Sequence, residues 1–150
     1  MPLISDEDTK FLKDYFAKEI KDPVKITYFT QRESKLLIPS QECMYCKETR
    51  EILEEVAGLS DKIELEVKDF VADEEEARRY GVDKIPATVL TGKAKGKVRF
   101  YGIPSGYEFS SLIEGIVDVA KGTTDLSDAT KAELGKLDKD VHIQVFVTPT

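Results

Sequence analysis

The stretch SQECMYCKETREIL, residues 40–53, holds both cysteines of the 150-residue chain, Cys43 and Cys46. They stand at the mouth of an expected helix running from Cys43 to about Leu59, with Ile52, Leu53 and Val56 on one face. Two cysteines at this spacing admit three readings: a redox pair, half of a metal site, or two buried thiols. Before them, VKITYFT (residues 24–30) is β-rich and alternates in part, as a strand does. The segment between, Gln31 to Glu42, reads as a loop of 12 residues, long enough to need a reason.

Outward from this centre the pattern is regular. Ser5 and Asp8 resemble a capping box, and Phe11, Leu12, Tyr15, Phe16 and Ile20 follow at helical spacing. KIELEVKDF (62–70) alternates like a half-buried strand, and DEEEARRYG (73–81) predicts a short helix closed by Gly81. VDKIPATVL enters a strand through Pro86, and a Gly-containing turn leads into VRFYG, which together predict a hairpin. EFSSLIEGIVDVAKG reads as an amphipathic helix ending at Gly122. Strands interleaved with helices, then a hairpin and a helix, imply an α/β domain whose mixed sheet is covered on both faces.

The last residues repeat the first. SDATKAELGKLDKDVHIQVFV, beginning at Ser127, matches SDEDTKFLKDYFAKEIKDPVKITYF, beginning at Ser5, in cap, helix and strand. Ile26 and Phe29 fall on Ile143 and Phe146. We therefore divide the chain into residues 1–126, one unit, and residues 127–150, the first helix and strand of a second unit that is cut short. The apolar strand 141–147 is expected either to join this domain's own sheet or to pair between chains.

Composition narrows the functions. A net charge of −7 gives no basic stripe for nucleic acid, and no apolar run approaches the roughly 20 residues that span a bilayer. The opening MPLISDEDTK is acidic and lacks a signal segment, so a cytoplasmic setting is expected. There a Cys-x-x-Cys pair serves catalysis or metal binding rather than stapling. Charged residues make up 34%, Asn is absent and Gln occurs three times, which fits a heat-adapted source.

At a helix N-terminus, unpaired N–H groups and the helix dipole favour a thiolate on the first sulfur. Cys43 would then attack a disulfide, and the more buried Cys46 would resolve the mixed intermediate. Zinc wants four ligands, and the single histidine, His142, lies far off in a strand, where a place on a strand face is expected for it. No metal and no cofactor beyond the Cys43–Cys46 disulfide is expected. In KIPAT (84–88), a cis Ile85–Pro86 bond would leave the Ile85 backbone open to an extended substrate.

Cys43-Met-Tyr-Cys46 after a strand, with IPAT some forty residues on and then a hairpin and a helix, resembles the thioredoxin fold. Tyr45 resembles the glutaredoxin branch. LISDED, YGIPSGYEF (101–109) and DVHIQVFVTPT are similar to the glutaredoxin-like protein disulfide oxidoreductase family of heat-loving prokaryotes, which joins two thioredoxin-fold units. The resemblance implies a thiol–disulfide oxidoreductase in which Cys43 and Cys46 form the redox pair. It also implies that Pro86 is cis and faces the pair, and that Tyr45, Ile85 and Pro86 contact the substrate. Protein disulfides or dithiols and a thioredoxin-reductase-like enzyme are the implied partners. Two departures stand out. The family's second Cys-x-x-Cys, which follows the residues matching Thr148-Pro149-Thr150, is missing, and the loop before Cys43, with Leu36–Pro39, is longer. A weakly catalytic module that docks a second unit or a client is the alternative reading.

Overall fold

The computed structural model describes residues 3–31 and 42–146. Residues 32–41, with the Leu36–Pro39 segment of the long loop, lie outside them. Helix α1 (Asp6–Glu19) starts where the Ser5 side chain accepts the Asp8 N–H at 3.1 Å, with Asp6, Glu7 and Asp8 against the positive end of the helix dipole. The Asp8 carboxylate accepts the Ser5 hydroxyl rather than the Ser5 N–H, so only half of a capping box forms. Leu12, Phe16 and Ile20 face the core, while Phe11 lies outside, stacked on Tyr15.

Strand β1 (Val24–Thr30) is buried along nearly its whole length, which explains why its sequence alternates only in part. It sits at the centre of a four-stranded sheet ordered β2-β1-β3-β4, with β2 (Ile63–Asp69), β3 (Ala87–Thr91) and β4 (Val98–Tyr101). β1 and β2 run parallel, Val24 opposite Ile63, and β1–β3 and β3–β4 run antiparallel, the latter as the expected hairpin.

The helices divide between the faces. Ile26, Tyr28 and Leu90 pack with Phe16 of α1, with Leu53 and Val56 of α2 (Cys46–Ala57), and with Leu112 and Ile116 of α4 (Tyr107–Lys121). On the other face Phe29, Ala87 and Val89 meet Ala77 of α3 (Glu74–Tyr80). Burying side chains of this size stabilises the domain by about 1.5–3 kcal/mol each relative to exposure. α3 carries Glu74, Glu75 and Glu76 in its first turn and Arg78 and Arg79 in its last, matching the dipole at both ends, and Gly81 closes it at φ 70°.

After α4 the chain forms a fifth helix, α5 (Asp128–Leu134), capped by Ser127, whose side chain accepts the Thr130 N–H. The repeat of the opening cap is thus present. The strand expected at 141–147 is not: residues 141–146 form no strand, and Ile143, Val145 and Phe146 are 79–88% exposed. Of the two places expected for the segment, the domain's own sheet or a pairing between chains, residues 141–146 do not take the first. A strand needs a ladder partner, and residues 141–146 pair with neither open edge of the sheet, the outer side of β2 or of β4. His142, on the same exposed segment, therefore occupies no strand face.

Candidate functional site

β1 and β2 finish at the end of the sheet where β3 begins, and the loops there carry the chemistry. α2 starts at Cys46, not at Cys43 as the sequence led us to expect. Cys43, Met44 and Tyr45 form a turn ahead of it, and the Cys46 N–H donates weakly to the Cys43 carbonyl at 3.4 Å. Met44 and Tyr45 belong outside because they are the turn's exposed residues, at 74% and 49%. No side chain caps α2, so the positive first turn of the helix is open on the side of the cysteines.

The two sulfurs are joined, S–S 1.98 Å, with Cα atoms 5.5 Å apart. Cys43 is half-buried at the surface and Cys46 is buried beneath it. Both ends of this turn are tied to β1 or to the residue that follows it. The Cys43 N–H donates to Gln31 Oε1 at 2.7 Å, and the Tyr28 hydroxyl donates to the Cys46 carbonyl at 2.7 Å. Burial pushes the Tyr28 phenol above its ordinary pKa, so it stays a donor.

The Ile85–Pro86 peptide is cis, and Pro86 is buried. The Pro86 carbonyl accepts the Gly102 N–H at 2.9 Å, which ties the segment after β4 to the same place. No backbone hydrogen bond involves Ile85 among the described residues, so its N–H and C=O stay open. Ile85 and Cys43 line one cleft of about 350 Å³ together with Thr30, Gln31, Glu42, Asp69, Phe70 and Val71. Of the five residues singled out from sequence, Cys43 and Ile85 share this cleft. Cys46 lies behind Cys43, Pro86 continues from Ile85, and Tyr45 stands on the exposed turn.

Tyr28, Gln31 and Gly102 are absent from the sequence-derived set. A phenol in a β-rich segment was the one visible signal for Tyr28, while the other two act through contacts that only folding creates. Among the described residues no group of three or more His, Cys, Asp and Glu is placed to hold a metal ion. No described helix is long and apolar enough to cross a membrane.

A mixed sheet with a helix-start Cys-x-x-Cys disulfide beside a cis-proline defines the class of thioredoxin-fold domains. The sequence model described as thioredoxin domain matches residues 34–114, more than half of the chain, and the chain belongs to the thioredoxin domain family. A probable thioredoxin of Methanothermobacter thermautotrophicus is 38% identical over 80 residues, 53% of this chain and 86% of the relative. Another, of Methanothermobacter marburgensis, is 35% identical over 96 residues, 63% of this chain and 94% of the relative. The same fold appears in a protein disulfide oxidoreductase from Aeropyrum pernix K1, with TM-score 0.72, 24% identity, and coverage of 89% of this chain and 55% of that one. The N-terminal domain of alkylhydroperoxide reductase AhpF from Enterococcus faecalis also has TM-score 0.72 and 24% identity, with coverage of 87% and 59%. The chain thus spans less than two thirds of those two solved chains.

Proposed function

We propose that this domain exchanges disulfides with protein substrates through Cys43 and Cys46. The observation that carries the reading is the difference between the sulfurs. Cys43 opens on the cleft with Ile85, whereas Cys46 is sealed beneath it. In the reduced domain the Cys43 thiolate attacks one sulfur of a client disulfide. A Cys43–client bond forms, and the other client sulfur leaves as a thiolate that takes a proton from water. The Cys46 thiolate then attacks Cys43 Sγ, forms the Cys43–Cys46 bond and expels the second client thiolate. Two electrons pass from domain to client with no other carrier, so no cofactor is required. The unpaired backbone of Ile85 receives the client as an added strand, with Pro86 and Tyr45 beside it. A thioredoxin-reductase-like enzyme would restore the dithiol. The setting we propose is cytoplasmic, where a lone pair serves exchange rather than stapling.

Insulin reduction by dithiothreitol tests this. The wild type should hasten the turbidity and Cys43→Ser should abolish the effect. Equal curves for the two would sink the reading.

A second reading rests on the tail. Ser127 caps α5 through Thr130 as Ser5 caps α1 through Asp8, and an exposed apolar segment follows. We read residues 127–150 as the first helix and strand of a second thioredoxin-like unit, whose segment 141–147 pairs with another chain or unit. A monomer by light scattering, with fast amide exchange across 141–147, would remove that pairing.

A further inference from the structure

We propose that the Thr49 hydroxyl is held in reserve as the hydrogen-bond donor to the Cys46 thiolate, and so sets the balance between dithiol and disulfide. The inference rests on the exchange reading above, in which Cys46 is the resolving cysteine.

Thr49 is fully buried and its hydroxyl has no hydrogen-bond partner. A threonine inside a helix usually turns its hydroxyl back onto the carbonyl three or four residues earlier. Here the Tyr45 carbonyl takes the Thr49 N–H at 3.0 Å, and the Cys46 carbonyl takes the Tyr28 phenol at 2.7 Å. The Thr49 hydroxyl lies near enough to the Tyr28 oxygen to favour its anion, yet outside hydrogen-bonding geometry. A polar group left idle in a sealed interior needs an explanation.

Cys46 supplies one. Residues 46 and 49 are three apart on α2 and both are buried, so they share a face. A helical side chain leans toward the N-terminus, which places residue 49 over the turn that begins at Cys46. While Cys46 is bonded to Cys43, its sulfur is neutral and a weak acceptor. Reduction breaks that bond and adds two electrons and two protons to give two thiols, and loss of the Cys46 proton makes a strong acceptor inside the protein. The buried polar or charged side chains among the described residues are Thr27, Thr30, Thr49 and Thr88, with no carboxylate or cation. Thr88 stands opposite Tyr28 in the sheet, and the charges that reach the Tyr28 phenol, Arg50 and Glu48, are carried by α2 itself. A thiolate formed at Cys46 must be supported by one of these buried hydroxyls, and Thr49 is the one on its own helix. Thr49 is thus a positioning residue, acting through Cys46 on the step in which the mixed disulfide is resolved.

The test is to equilibrate wild type, Thr49→Val and Thr49→Ser with reduced and oxidised glutathione and to count dithiol by alkylation and mass. Valine keeps the shape and removes the donor. It should shift the equilibrium about tenfold toward the disulfide, a potential lower by about 30 mV, while serine stays with wild type. Oxidised Thr49→Val should melt no lower than wild type, because it loses only an idle hydroxyl. Equal constants for valine and wild type, or equal shifts for valine and serine, would overturn the proposal. The exchange reading fails separately, if wild type does not reduce insulin, because the equilibrium needs no turnover.

Discussion

The Tyr28 hydroxyl reaches 2.7 Å to the carbonyl of Cys46, joining the middle of the core sheet to the first residue of the redox helix. Tyr28 is itself wholly buried. Removing the hydroxyl alone, in Tyr28→Phe, keeps the ring packed and takes away one buried bond. The oxidised protein should lose about 1–2 kcal/mol, read as a lower denaturant midpoint at an unchanged slope. An unchanged midpoint would show that the bond contributes nothing.

The uncapped start of α2 beside Cys43 predicts an acidic thiol. Iodoacetamide alkylation of Cys43 in the reduced domain, followed against pH, should give a midpoint below the usual value of about 8.5. A midpoint at or above that value would mean that the open helix end does not act on this sulfur.

Gly81 ends α3 at φ 70°, and a Cβ there would come 2.9 Å from the Arg99 guanidinium. Arg99 is held by the Tyr80 carbonyl at 2.6 Å, so it does not yield freely. Gly81→Ala should cost about 1–2 kcal/mol from the left-handed backbone alone, seen as a lower melting temperature with the disulfide intact.

Glu66 lies 2.6 Å from Lys25 and 3.0 Å from Lys68, and Lys68 also reaches Glu76 at 2.9 Å. The Lys25 hydrogen bond first, then that of Lys68, holds the Glu66 carboxyl below its usual 4.5. A carboxyl lowered by folding binds fewer protons in the folded state than in the unfolded one. Its contribution is therefore complete above the ordinary carboxylate range and lost as pH falls through the folded value. Lys25 and Lys68 are raised chiefly by hydrogen bonds to Glu66 and Glu76 respectively, so their share is complete below 10.5 and lost above it. The melting temperatures of wild type and Glu66→Gln should converge as pH drops from about 5 to about 3. Because these groups are substantially exposed, 1 M salt should narrow the gap. A constant gap across that pH range would contradict the account.

Most of the architecture was legible because it is written in local patterns. Ser5, Gly81, Pro86 and Gly122 mark their boundaries by backbone chemistry alone, and the alternation of 63–69 belongs to an edge strand with one wet face. The misreadings come from partners that sequence does not display. Cys43 reads as helical because apolar spacing cannot tell a helix from the turn before it. Residues 141–147 have strand composition, yet a strand is made by its neighbours. The cysteine pair and Pro86 were visible as motifs, whereas Gln31 and Tyr28 touch the pair only after β1 is laid beneath α2.

α4 begins after the segment tied to Pro86, near the sulfurs, and its 15 residues carry the chain roughly 22 Å along the body. It ends with Gly122 against Lys93 and Ala94, in the turn between β3 and β4. The stretch from residue 123 onward, with α5 and the exposed Ile143, Val145 and Phe146, therefore departs from the pole opposite the redox pair.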